Sequence, residues 1–121
     1  MIDGSCQTFV SDCHVRAAVE LITHTWDPVV LSALRAGPTR RNDLFEHIAG
    51  ISDKVLTQAL RRLRARGLVV RQDSHGRVPG SRGAVYQLSP LGESFANGPL
   101  AQLARWAAAN HAELLQASTT P

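Results

Sequence analysis

Lys54, Gln58 and Arg61 are spaced so that their side chains share one side of an α-helix, at roughly 100° per residue, with Thr57 and Arg62 on its flanks. Ammonium and guanidinium groups bind phosphate oxygens. A carboxamide or a guanidinium can also bond to base edges in a major groove. The chemistry these types support is recognition of nucleic acid. A second reactive candidate is Cys13, at or just inside a helix N-terminus, beside His14 and three residues before Arg16. A helix dipole and nearby cations favour the reactive thiolate. With Cys6 or a partner-subunit thiol as resolving group, oxidation of Cys13 would shift the geometry of a dimer. A buried packing cysteine would instead be inert.

Bond-making chemistry is not expected. No nucleophile–base pair, paired carboxylates or glycine-rich phosphate loop stands out, so no catalytic residue, no cofactor and no enzyme is predicted. Cys6, Cys13 and His14, or His24 and Asp27, supply metal-ligand types without zinc-site spacing, so no metal is predicted either.

The recognition residues need a helix to hold them, and the stretch Ile51 to Arg66 reads as one. Ser52 is an N-cap type, and Asp53 places negative charge in the first turn, where the dipole favours it. Lys54 to Arg66 contains no Gly or Pro, and Leu56, Ala59, Leu60 and Leu63 recur on one apolar face. One side can be buried while the other meets DNA.

The flanking chain agrees. Ser11 or Asp12 can cap a first helix running from about Cys13 to Thr25, with Val15, Ala18, Val19, Ile22 and Trp26 on one face. Asp27 can cap a second helix, Val29 to Arg35, with Pro28 at its first position and Gly37-Pro38 ending it. Thr39-Arg40-Arg41 is short and extended. Asn42 then caps a helix from Asp43 to Ala49, with Leu44, Phe45 and Ile48 turned inward, and Gly50 breaks it. A short helix, a Gly-containing turn and a longer basic helix form a helix-turn-helix, whose second helix enters the major groove.

Gly67 stops that helix. Leu68 to Arg71 and Ala84 to Leu88 are β-type and enclose a polar segment, Gln72 to Gly83, that carries Arg77 and Arg82. A hairpin in this place is a wing, and its arginines can reach phosphates or a minor groove. Ser89-Pro90 starts another helix, which breaks or kinks near Asn97-Gly98-Pro99. The last helix, about Leu100 to Gln116, carries Leu100, Leu103, Ala104, Ala107, His111 and Leu114 along one stripe, with Trp106 near its edge. So small a chain has nothing left to cover all of this stripe. A homodimer is therefore expected through Val15, Val19, Leu100, Leu103, Trp106, Ala107 and Leu114, since two half-sites double the contact with DNA.

The 121 residues suffice for one small domain, here 1–121, with 1–12 as a loose N-terminal arm and 99–117 as the dimerisation helix. At 44% hydrophobic the chain can bury a core. It has no long apolar run and no signal-peptide pattern, which predicts a cytoplasmic protein with no membrane partner. The net charge of +3 is modest, but Arg40 and Arg41, Lys54 to Arg71, and Arg77 and Arg82 hold most of the positive charge. That placement fits a nucleic-acid-binding face, although a solvated Arg-rich surface would look similar. Two cysteines are too few for a disulfide framework, and an intracellular chain would keep them reduced by default.

These residues resemble the HxlR-type family of bacterial winged-helix regulators, relatives of the MarR group. Cys13, Ala18, Leu21-Ile22 and Trp26 look like the opening helix of that family, and Gly37-Pro38, Arg40 and Asp43-Leu44 like its second motif. Gly50-Ile51-Ser52, Lys54 to Gln58 and Leu60-Arg61 are close to its most specific run. Gly67-Leu68-Val69, Tyr86 to Gly92 and Trp106 complete the match. Thr25, Arg41 and the long wing segment Val78 to Gly83 depart from the family pattern.

The resemblance implies an α+β, mostly α fold: a winged helix-turn-helix with a short β-hairpin wing and terminal dimerisation helices. It implies a dimeric regulator of transcription, repressor or local activator, on a double-stranded DNA operator. Contacts would come from Ser52, Lys54, Thr57, Gln58 and Arg61, with Arg40 near the backbone. Some members of the family look like sensors of oxidants or electrophiles through a cysteine at the position of Cys13. His24, Trp26 and His111 either line a small-molecule effector cavity near the dimer interface, where MarR relatives bind effectors, or serve core and surface packing. The competing reading is a winged-helix module that binds a protein instead of DNA.

Overall fold

The computed structural model describes residues 13–72 and 84–119, except the side chains of 118 and 119. The wing arginines Arg77 and Arg82, together with Cys6, lie outside the described residues.

Helix α1 spans His14–Glu20 and α2 spans Trp26–Ala33, followed by a 3-10 turn over Leu34–Ala36. The first helix is shorter than its periodicity predicts. The Glu20 carbonyl accepts hydrogen bonds from the Thr23 hydroxyl at 3.1 Å and from Arg66 Nη1 at 2.8 Å. Side chains thus satisfy an orphan carbonyl that another helical turn would otherwise have used. Helix α2 begins earlier than expected. Thr25 holds its N-cap position, and Asp27, expected as the cap, lies in the first turn and is buried.

Strand β1 is Thr39–Arg40, and α3 is Arg41–His47. Gly50, at φ 88°, turns the chain toward α4, Asp53–Ala65. That φ lies where only glycine is at ease. Ser52 caps α4 by accepting the Val55 amide on its hydroxyl at 3.1 Å. At the other end Gly67 takes φ 78°, and the Leu68 amide reaches back to the Leu63 carbonyl at 3.0 Å. That is the αL stop expected of a glycine placed there.

Strands β2, Val69–Gln72, and β3, Val85–Leu88, pair antiparallel, Val69 opposite Leu88 and Gln72 opposite Val85. The hairpin gains a third strand. Thr39 lies opposite Tyr86 and Arg40 opposite Val85, so the sheet order is β1–β3–β2. The residues before α3 are thereby tied to the base of the wing.

Helix α5, Pro90–Phe95, opens on Ser89, whose hydroxyl accepts the Gly92 amide at 2.9 Å and donates to the Gly67 carbonyl at 2.6 Å. One hydroxyl thus joins the end of α4 to the start of α5. At Asn97-Gly98-Pro99 the regular α-helix is interrupted, as expected, although the chain stays on a helical path. A π turn over Ala96–Leu100 carries the chain into α6, Ala101–Ala109. A π turn accommodates a proline, which has no amide hydrogen to donate. A second interruption falls at Asn110, with φ −112° and ψ 16° and its side-chain amide on the Trp106 carbonyl at 2.9 Å. Helix α7, His111–Thr119, follows, so the expected single terminal helix is two.

The core unites Val30 and Leu31 of α2, Leu44 of α3, Ile48, and the Leu56, Ala59, Leu60 and Leu63 face of α4 with Leu68, Tyr86, Leu88, Ala96 and Leu100. Phe45 was expected inside but is exposed. Leu44 and Ile48 already form the inward stripe of α3, and Phe45 is turned roughly 100° away from Leu44. Helix α1 buries none of its residues. Among the described residues, no helix is long and apolar enough to cross a membrane.

Candidate nucleic-acid interface

Helix α4 is held from its buried side. Leu56, Ala59, Leu60 and Leu63 face the core, which leaves Lys54, Gln58 and Arg61 on the opposite stripe. All three are exposed and engage no intramolecular partner among the described residues. Donors presented this way, on a rigid helix, suit phosphate and base-edge contacts. Ser52 is exposed beside them at the N-cap, where its hydroxyl oxygen is committed to the Val55 amide. Arg40 is exposed on β1 at the base of the wing.

Arg62 belongs to a different part of the design. Its Nε and Nη2 donate to the two carboxylate oxygens of Asp27, at 3.0 and 2.8 Å. Asp27 is 2% exposed. The hydrogen bond to Asp27, opposed in part by burial, holds the guanidinium pKa above its ordinary value. A buried carboxylate needs such a partner, and a planar fork satisfies both oxygens together. Helical phase puts Arg62 on the flank of the stripe expected to face DNA, and in the structure it fastens α4 to α2. Arg66 plays a related part, with Nη1 on the Glu20 carbonyl.

Arg41 was missed as a site residue. It is the first residue of α3, and its guanidinium crosses to the N-terminal turn of α4. Nη1 lies 2.9 Å from Asp53 Oδ1, while Nη2 donates to the Asp53 carbonyl at 3.1 Å and the Thr57 hydroxyl at 2.6 Å. The pairing spans 12 and 16 residues, beyond any local periodicity. Its signal in the sequence was only that Arg41 departs from the family pattern.

The second apolar surface lies between α1 and the α5–α6 segment. His14, Val15, Ala18, Val19, Ile22, Phe95, Pro99 and Leu103 line a cleft of about 320 Å³. Val15, Val19, Leu103, Trp106 and Leu114 are all substantially exposed, Trp106 by 58%, and Ala107 is exposed as well. Leu100 departs from the expected set. At 7% exposure it packs into the chain's own core from the end of the π turn. The residues expected to line an effector cavity do not line this cleft: His24 and His111 are exposed elsewhere, and Trp26 packs against the core. Cys13, at the N-cap of α1, is disulfide-bonded, where a reduced thiol was the default expectation.

A family model described as HxlR-like helix-turn-helix matches residues 21–114. The HTH-type transcriptional regulator YtfH of Escherichia coli strain K12 is 36% identical over 107 residues, which cover 88% of this chain and 82% of that protein. The solved structure of ytfH from Salmonella typhimurium matches with a TM-score of 0.75 at 31% identity, covering 96% of this chain and 100% of that one. The structure of the redox regulator HypR in its oxidised form matches with a TM-score of 0.70 at 28% identity, covering 81% and 97%.

Proposed function

This chain belongs to the HxlR-like helix-turn-helix family, and from that premise we propose that it is a homodimeric, sequence-specific regulator of transcription in the cytoplasm, without catalytic activity of its own. The observation that carries the reading is the stripe of Lys54, Gln58 and Arg61, exposed on a helix whose other face is buried. In a helix-turn-helix that stripe faces the major groove, and Ser52, Thr57 and Arg40 stand beside it. Contacts from Arg77 and Arg82, which lie outside the described residues, are part of the same proposal.

Dimerisation is supported by α1, which buries nothing, and by the exposed apolar side chains of α1, α6 and α7. Burying Val15, Val19, Leu103, Trp106, Ala107 and Leu114 against a second copy would remove this surface from water. Two recognition helices would then address half-sites about one helical turn apart. The proposed input is oxidation at Cys13, supported by its disulfide-bonded state and by the likeness to a protein named as a redox regulator. A small-molecule effector remains the alternative input. Coupling would run through α1, which carries both Cys13 and part of the proposed dimer face.

The test is binding of purified protein to the DNA upstream of its own gene and to sequences selected in vitro, over a range of salt. Specific binding that weakens steeply with salt supports the reading, because phosphate contacts release counterions. Absence of DNA binding at low salt would overturn it and favour the protein-docking alternative.

A further inference from the structure

Asp53 sits at the first position of α4, between Ser52 and Lys54, with its side chain 76% exposed. This position poses a conflict. A carboxylate in the first turn is favoured by the helix dipole, yet it lies at the edge of a surface that must approach phosphates. Arg41 lies against it, with a side chain only 20% exposed and Nη1 at 2.9 Å from Oδ1. The backbone of Arg41 is fixed too, since its amide donates to the Ala84 carbonyl at the base of the wing, at 3.0 Å.

The same guanidinium reaches Thr57. Arginine has donors and no acceptor, so in the 2.6 Å contact the Thr57 oxygen must accept. The hydroxyl hydrogen is not used in that bond. Thr57 flanks the stripe of Lys54, Gln58 and Arg61.

We propose that Arg41 is a positioning residue of the DNA-binding surface: it cancels the charge of Asp53 beside the phosphates and presents the Thr57 hydroxyl to DNA as a hydrogen-bond donor. The inference rests on the DNA-binding reading above. The ion pair keeps the benefit of an acidic residue at the helix start and removes its repulsion of DNA. The Thr57 hydroxyl then meets an acceptor, either a phosphate oxygen or a base-edge acceptor such as purine N7 or thymine O4. Arg41 itself touches no DNA in this arrangement. It acts through its two neighbours and connects the wing stem to the recognition helix.

The experiment compares wild type, Arg41→Ala, Asp53→Asn and the Arg41→Ala/Asp53→Asn double variant on DNA selected in vitro by the wild type. Binding is followed by fluorescence anisotropy at several salt concentrations, and folding by thermal melting. Arg41→Ala is expected to bind about tenfold more weakly, because it exposes the carboxylate to the backbone. Asp53→Asn should bind at least as tightly as wild type, and the double variant should recover most of the loss. A purely structural clamp predicts the opposite, since Asp53→Asn and the double variant also break the pair and would be as weak as Arg41→Ala. That pattern overturns the proposal.

Arg41→Lys keeps the charge but not the fork that reaches Asp53 and Thr57 together, so it should recover only part of the affinity lost in Arg41→Ala. If Arg41→Ala does not fold, Asp53→Asn decides alone, and weaker binding than wild type overturns the inference. Thr57→Val should weaken binding, uniformly across sequences if the acceptor is phosphate and at one base position if it is a base edge. No loss in Thr57→Val overturns that half of the proposal. A wild type that binds no DNA overturns the functional reading itself, whereas a wild type that binds and an Arg41→Ala variant that equals it overturn only this inference.

Discussion

The guanidinium of Arg62 holds both carboxylate oxygens of Asp27, at 3.0 and 2.8 Å, and so locks α4 to α2 behind it. Because Asp27 is 2% exposed, removing Arg62 leaves a buried carboxylate without its counter-charge. Arg62→Ala should therefore cost about 3–5 kcal/mol of stability. Urea denaturation of Arg62→Ala, Asp27→Ala and the double variant checks this. The double variant should be less destabilised than the sum of the two singles, by at least about 1 kcal/mol. Strict additivity would show that the pair contributes nothing to stability.

Residues on the opposite stripe should behave in reverse. Arg61→Ala and Gln58→Ala should leave the melting temperature unchanged and cost about 1–3 kcal/mol in specific binding, with relaxed preference at one base position each. Arg40→Ala should weaken binding about equally on all sequences and lower the salt slope by about one. A gel shift with normal operator affinity for both Arg61→Ala and Gln58→Ala would remove α4 from the recognition role.

Gly92 is packed so closely that a Cβ there would run into the Leu68 carbonyl and backbone. The Ser89 hydroxyl that caps α5 also bonds to the Gly67 carbonyl, so neither backbone can easily yield. Gly92→Ala should destabilise by about 2 kcal/mol or more, as overpacking against backbone does. Gly67→Ala, which only forces an unfavourable φ, should cost about 1 kcal/mol. Equal and negligible changes in melting temperature would contradict this account of the joint.

Two leucines one helical turn apart should separate folding from assembly. Leu103→Glu, on the exposed face of α6, should give a folded monomer in sedimentation analysis. Trp106→Arg should do the same. Leu100→Ala should leave assembly of the folded fraction intact but cost about 2–5 kcal/mol in stability, because Leu100 belongs to the core. A Leu103→Glu variant that sediments as the wild type does would displace the dimer face from α6.

Cys13→Ser should abolish any change in DNA affinity caused by diamide, with basal affinity retained. A variant that still responds to the oxidant would place the sensor elsewhere.

The sequence was informative where the signal is local. The apolar period of Leu56, Ala59, Leu60 and Leu63 faces the core, and the stripe of Lys54, Gln58 and Arg61 is exposed as that period requires. Ser52 at the N-cap, Gly67 at the αL stop and Ser89-Pro90 at the start of α5 were legible too, because caps and stops depend on a few adjacent residues. From them the winged helix-turn-helix follows.

Tertiary structure decided which polar groups are committed within the chain. Helical phase cannot separate Arg62 from Arg61 by function; the difference is a carboxylate 35 residues away. Asp27 read as a cap by its neighbours, yet packing places it where only a guanidinium can satisfy it. Arg41 had no local signature, and its partners become visible only when α3 and α4 meet. Leu100 sat on an apolar stripe that one chain could not wholly cover, and the π turn chose which end of the stripe is covered. Periodicity assigns a side chain to a face, but the distance to a distant partner decides whether that face is available to DNA, to a second copy or to the chain itself.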